Sequence, residues 1–133
     1  MNHGSELSPD ASAPLVLLID DADELRVLVA EFLQAHGFRV ATARNGFEGL
    51  SAAVHVRPDL ILMDLVMPGM DGIETTRHLK REAVTANIPI VAFTGESLLT
   101  ELSRLQAKGF AELLPKPHDP QELLTTLRRL IVE

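Results

Sequence analysis

Short apolar runs alternate along the chain with stretches whose apolar residues recur every three or four positions. LVLLI, residues 15–19, lies between Pro14 and Asp20 and has the pattern of a strand buried on both faces. From Asp23 to His36, Leu25, Leu28, Val29, Phe32 and Leu33 share one helical face, and Gly37 stands where such a helix stops. FRVATA, 38–43, predicts a second strand, Asn45-Gly46 a turn, and 47–56 a helix of small residues. DLILM, 59–63, follows Pro58 and is the most apolar strand candidate; MPGMDG, 67–72, is a loop by composition, and Ile73 to Arg81 is helical. Pro89 opens the strand IVAF, 90–93, and a helix is expected from Ser97 to Lys108 with Gly109 as its stop. FAELL, 110–114, predicts the fifth strand and PKP, 115–117, a rigid loop. Asp119-Pro120 supplies the N-cap and first residue of a last helix carrying Leu123, Leu124, Leu127, Leu130 and Ile131.

Five rounds of strand and helix imply a parallel sheet covered by helices on both faces, a doubly wound α/β domain. Residues 15–133 form that one domain, and the Ser, Ala, Pro and Asp-rich stretch 1–14 is expected to be a disordered lead. Hydrophobic residues at 46% and charged residues at 23% fit an ordinary globular protein. A net charge of −7 argues against direct binding to a nucleic-acid backbone and suits a cation or a basic protein surface. The absence of cysteine excludes disulfides and thiolate metal sites. The first residues lack the basic and apolar regions of a secretory signal, and no apolar stretch approaches the ~20 residues of a membrane span. A cytoplasmic protein without membrane insertion is expected.

In a doubly wound sheet, sites form at the carboxyl ends of the strands. Asp20 and Asp21 follow the first strand, Asp64 the third, Thr94 the fourth and Lys116 the fifth. A hard divalent cation such as Mg²⁺ takes one or two carboxylates plus waters and phosphate oxygens, and turns repulsion among the acids into coordination. A hydroxyl and an ammonium opposite it would surround a phosphoryl group, and one carboxylate could then act as nucleophile. Each residue also has a plainer use. Asp21 or Asp23 could cap the first helix, Asp21 with Glu24 having the spacing of a capping box. Asp64 could start a turn, Thr94 could be an ordinary strand end, and Lys116 a solvated loop charge. Asp71 is expected to cap a helix and Glu96 to be a first-turn acid. None of the histidines pairs with another at metal-ligand spacing, so they are expected at the solvated surface.

With LLIDDADELR, MDLVMPGMDG, IPIVAFTGE and LLPKP in place, the chain resembles the receiver domain of two-component response regulators from about Leu15 to Val132. The resemblance implies a chemotaxis-regulator-like (βα)5 flavodoxin-like sandwich with strand order 2-1-3-4-5. It implies that Asp64 is the phosphoacceptor and that Mg²⁺ is bound by Asp21, Asp64 and the backbone carbonyl of Val66, with Asp20 acting mainly through a metal-bound water. Thr94 and Lys116 would bind phosphoryl oxygens, assisted by the amides of Leu65 and Gly95. The donor would be a phosphohistidine on a histidine kinase or histidine phosphotransfer protein, and the signal would pass to a downstream protein. Such a domain is not an enzyme beyond catalysing its own phosphorylation and dephosphorylation. In this family the Lys116-Pro117 bond is often cis, and cis is expected here.

Two positions depart from the family. Leu113 stands where an aromatic residue usually sits three before the lysine, so output through the backbone after Thr94 is expected in place of an aromatic rotamer switch. Pro115 lacks a backbone donor. The chain is either a stand-alone receiver or part of a longer protein. Three alternatives share its features. A receiver-like binding module would work without phosphorylation, although all the site residues are present. A haloacid-dehalogenase-type phosphatase would use Asp21-Ala22-Asp23 as D-x-D, but Asp20, not Asp21, follows the strand directly. A flavodoxin-like flavin binder would need Ser, Thr and Gly where Asp20 to Glu24 stand.

Overall fold

A computed structural model of the chain describes residues 11–95, 109–116 and 119–131. Five strands, β1 (Leu15–Ile19), β2 (Arg39–Ala43), β3 (Leu60–Asp64), β4 (Ile90–Gly95) and β5 (Glu112–Lys116), form one sheet in the order β2-β1-β3-β4-β5, every pair parallel. Among the described residues the helices are α1 (Asp23–Ala35), α2 (Gly46–Val56), α3 (Gly72–Arg81) and α4 (Pro120–Ile131). The helix expected over Ser97 to Lys108 and the Lys116-Pro117 bond lie outside the described residues, as does the lead up to residue 10.

The apolar runs need both faces because successive side chains of a strand point to opposite sides. Val16 and Leu18 join Leu60, Leu62, Val91 and Phe93 in one cluster, closed by Leu33 of α1 and Leu123, Leu124 and Leu127 of α4. Leu17 and Ile19 join Ile61, Met63, Ile90 and Ala92 in a second, closed by Ala53 of α2 and Leu79 of α3. Three layers follow, with β1, β3 and β4 sealed between them. Each fully buried Leu or Ile contributes about 1.5–3 kcal/mol, so the strands that carry the site are also the most strongly anchored.

Helix ends explain where the connections fall. Gly37 (φ +97°) follows α1, and the bonds Phe38 N to Leu33 O (3.1 Å) and Gly37 N to Gln34 O (3.3 Å) close a Schellman motif. Asn45 does not make a free turn; its side chain accepts from Glu48 N at 2.9 Å, so α2 begins at Gly46. Asp71 and Asp119 cap α3 and α4 by accepting from Glu74 N (2.8 Å) and Gln121 N (3.0 Å). After α3 the chain returns to β4 through residues 82–89. The Lys80 ammonium donates there to Ala86 O (3.0 Å) and Ile88 O (2.9 Å), and its burial lowers its pKa.

Several boundaries differ from the sequence expectation: β3 is Leu60–Asp64 rather than 59–63 and β4 runs on to Gly95, so Asp64 and Thr94 lie within the strand ends rather than after them. The fifth strand runs Glu112–Lys116, two residues later than FAELL, so Pro115 and Lys116 belong to the strand rather than to a loop. β5 is an edge strand, the place in a sheet where proline is found. Leu113 is half-buried against the second cluster.

The helix α2 ends on Arg57 in the left-handed region (φ +49°, ψ +67°), with its amide bonded to Ala53 O at 3.0 Å. That conformation costs an L-residue roughly 1–2 kcal/mol, and glycine pays part of it back as unfolded-state entropy. Arg57→Gly is expected to raise unfolding stability by about 0.5–1 kcal/mol, measured by urea denaturation; a loss of stability would show that the exposed arginine makes a contact of greater worth.

Candidate functional site

Register brings the acids together. Ile19 pairs with Met63 and Asp64 with Phe93, so Asp20, Asp64 and Thr94 sit at neighbouring ends of β1, β3 and β4. Lys116 closes β5 with its backbone beside Gly95. One carboxylate oxygen from each of Asp20, Asp21 and Asp64 lies within 4.8 Å of the others. Asp20 is 0% exposed and Asp64 4%, whereas Asp21 is open to solvent. At an effective dielectric of about 20, each such pair repels by on the order of 3 kcal/mol. Among the described residues this is the one group of acidic, histidine or cysteine side chains so placed.

The β1–α1 turn holds Asp20 on several sides. Its amide donates to Ala43 O at 3.1 Å, and its Oδ1 accepts from Ala22 N at 2.9 Å. Its carbonyl accepts from Arg26 Nη1 at 2.9 Å. The capping-box reading of Asp21 with Glu24 does not hold: Ala22 is the N-cap of α1 and no side chain caps that end. Asp23 instead pairs with Arg26 at 2.7 Å. Asp21 is thus left to face Asp20 and Asp64.

On the other side of the site, Val66 N donates to Asp64 Oδ1 at 3.2 Å. Gly72, the first residue of α3, donates its amide to Leu65 O at 3.0 Å. A Cβ at Gly72 would lie 2.6 Å from Asp64 O and 2.7 Å from Leu65 Cα. MPGMDG is therefore the segment that lets α3 start flat against the backbone of Asp64 and Leu65.

Thr94 is 1% exposed, and its Oγ1 has no hydrogen-bond partner among the described residues. A buried hydroxyl without a partner at the end of the strand next to Asp64 is a donor suited to an oxygen arriving there. At the rim, hydrogen bonds from Arg44 hold the Glu48 carboxyl below its ordinary pKa, and Glu48 in turn raises that of Arg44. Arg44 is exposed and Glu48 partly so, and the pair makes an α2 boundary contact rather than part of the cluster. His36 and His55 are exposed, their Nδ1 atoms 2.9 and 2.8 Å from the carbonyls of Phe32 and Ser51.

The set is all oxygen, carries three formal negative charges, and opens to solvent at Asp21. It fits a hard divalent cation of the Mg²⁺ class. Sequence reasoning had found Asp20, Asp21, Asp64 and Thr94 but assigned no role to Arg26 or Gly72. Both lie inside the quoted segments, and their spacing to the acids was the available signal.

Residues 16–128 match the family described as the response regulator receiver domain. PilH of Pseudomonas aeruginosa is 34% identical over 116 residues, covering 87% of this chain and 96% of that protein. The chain spans about half the length of transcriptional regulators that it also matches. Among solved structures, Vibrio cholerae chemotaxis protein CheY4 superposes with a TM-score of 0.82 at 34% identity, covering 90% of this chain and 99% of that one. The receiver domain of the sensor histidine kinase PA1611 from P. aeruginosa, with a magnesium ion coordinated in its active site cleft, gives 0.82 at 30% identity over 92% and 100%. Strand order, acidic cluster and these likenesses agree: the chain belongs to the response regulator receiver domain family and has the phosphoacceptor role in two-component signalling.

Proposed function

We propose that Asp64 is the residue phosphorylated, with Mg²⁺ held by Asp20, Asp21, Asp64 and the carbonyl of Val66. The observation that carries this reading is the meeting of three carboxylates beside the buried, unpartnered hydroxyl of Thr94 at the carboxyl end of a parallel sheet. The bound cation supplies charge neutralisation for the acids and for the transferring phosphoryl oxygens. Asp64 attacks phosphorus through a carboxylate oxygen. The P–N bond of the donor phosphohistidine breaks, and the imidazole nitrogen keeps the electron pair and takes up a proton. Asp64 has the position for this, at the end of the central strand with Val66 N fixing one of its oxygens. Thr94 donates to a phosphoryl oxygen, Lys116 neutralises another, and the amides of Leu65 and Gly95 complete the cradle. Hydrolysis of the acyl phosphate later returns the carboxylate, so the domain catalyses its own modification without turning over an external substrate.

The donor in this reading is a histidine kinase or a histidine phosphotransfer protein, and the recipient of the signal a downstream protein. The excess of negative charge disfavours direct contact with nucleic acid. No helix among the described residues is long and apolar enough to cross a membrane, and a cytoplasmic location is part of the proposal. Intact mass after treatment with acetyl phosphate tests it: the full chain is expected to gain one phosphoryl group with Mg²⁺ and none when the cation is chelated. Equal labelling with and without the cation would remove the metal from the reading.

A further inference from the structure

The turn that carries Asp20 and Asp21 has no side-chain cap at its helix, yet it is held closed. Arg26, one turn into α1, closes it. Its side chain is 12% exposed, against 81% for its ion-pair partner Asp23. Nη2 binds Asp23 at 2.7 Å, and Nη1 reaches back 2.9 Å to the carbonyl of Asp20. A surface ion pair needs neither the burial nor the carbonyl contact. Asp23 orients one side of the guanidinium so that the other side meets the backbone of an acid in the cluster.

We propose that Arg26 is a positioning residue for the metal site: by gripping the carbonyl of Asp20 it fixes the turn from which Asp20 and Asp21 project, and so sets the affinity for Mg²⁺. The inference rests on the proposed Mg²⁺ reading of the same acids. Charge alone predicts the opposite sign. A cation near the site repels Mg²⁺, so removing it would tighten binding. Asp23 already offsets much of that charge at close range, which leaves the grip as the larger effect. Lysine keeps the charge but has a compact ammonium, which cannot span Asp23 and the carbonyl as the planar fork does.

The test is calorimetric titration of the full chain with Mg²⁺, alongside the melting temperature in chelator and labelling by acetyl phosphate at low and saturating Mg²⁺. Arg26→Ala is expected to weaken Mg²⁺ binding by about tenfold, the lower end for groups that orient metal ligands. Arg26→Lys is expected to weaken it by about threefold, between wild type and alanine. Labelling should be slow at low Mg²⁺ and recover at saturation, a split that a purely structural role would not produce. Unchanged or tighter Mg²⁺ binding in the variants, whatever the melting temperature, would overturn the inference. Should Arg26→Ala fail to fold, Arg26→Lys decides alone on the same criterion. A wild-type chain that binds no Mg²⁺ would overturn the underlying reading and this inference with it, whereas wild-type binding with indifferent variants overturns the inference only.

Discussion

Asp64→Asn is expected to take up no phosphoryl group from acetyl phosphate under conditions in which the wild type takes up one. The amide is close in shape and can still accept from Val66 N, so the turn after β3 should persist. What disappears is the nucleophile, since a neutral amide oxygen is a poor one, together with a third of the formal charge of the cluster. The loss should be complete rather than partial, because Asp20 projects from a different strand end and Asp21 is open to solvent. Intact mass reads labelling, and circular dichroism verifies that the fold is kept. Labelling of the variant at the wild-type rate would move the phosphoacceptor to another acid.

The second large effect comes from a glycine. In Gly72→Ala the new methyl carbon would fall 2.6 Å from Asp64 O and 2.7 Å from Leu65 Cα, both backbone atoms. Neither can swing aside as a side chain could. The start of α3 must back away, or the end of β3 must bend, and the bond from Gly72 N to Leu65 O stretches in either case. Overpacking of this kind costs about 1–3 kcal/mol, with a backbone neighbour placing it toward the upper end. Asp64 is one of the residues displaced, so labelling should also slow. Urea denaturation and the mass assay measure the two consequences. A variant as stable as wild type, labelled at the same rate, would mean that α3 does not abut the end of β3 as described.

Those two residues mark how far the sequence could be read. Leu15–Ile19 was legible as a strand to the residue, because an apolar run bounded by Pro14 and Asp20 leaves little freedom. The convergence of Asp20, Asp21 and Asp64 was legible because parallel strands place their carboxyl ends on one edge whatever lies between. The order of the strands was not; periodicity says what each element is, not which neighbour it chooses, and the order came through family resemblance. The fifth strand was misplaced because Pro115 and Lys116 look like loop residues until β5 is known to be an edge. The capping box at Asp21 and Glu24 failed for a related reason. Spacing permits that box, but α1 begins one residue later, on Ala22 as N-cap, and Arg26 holds the turn through the Asp20 carbonyl instead. Gly72 was visible only as part of a loop, since a close approach between backbones leaves no composition signal beyond the glycine.

The hydroxyl of Thr94, without a partner among the described residues, also links signalling to folding stability. A buried donor without an acceptor costs the native state about 1–3 kcal/mol, which the hydrated unfolded chain does not bear. On the proposed reading, a phosphoryl oxygen on Asp64 supplies the acceptor, and it does so only while the domain is folded. Phosphorylation then acts as a ligand for the native state, and by thermodynamic linkage the modified domain resists unfolding more than the resting one. The resting domain is thus the looser of the two forms, held a little above its best-satisfied arrangement. On that reading, part of the free energy released when phosphate arrives would go into satisfying Thr94 at the end of β4 before any partner is engaged.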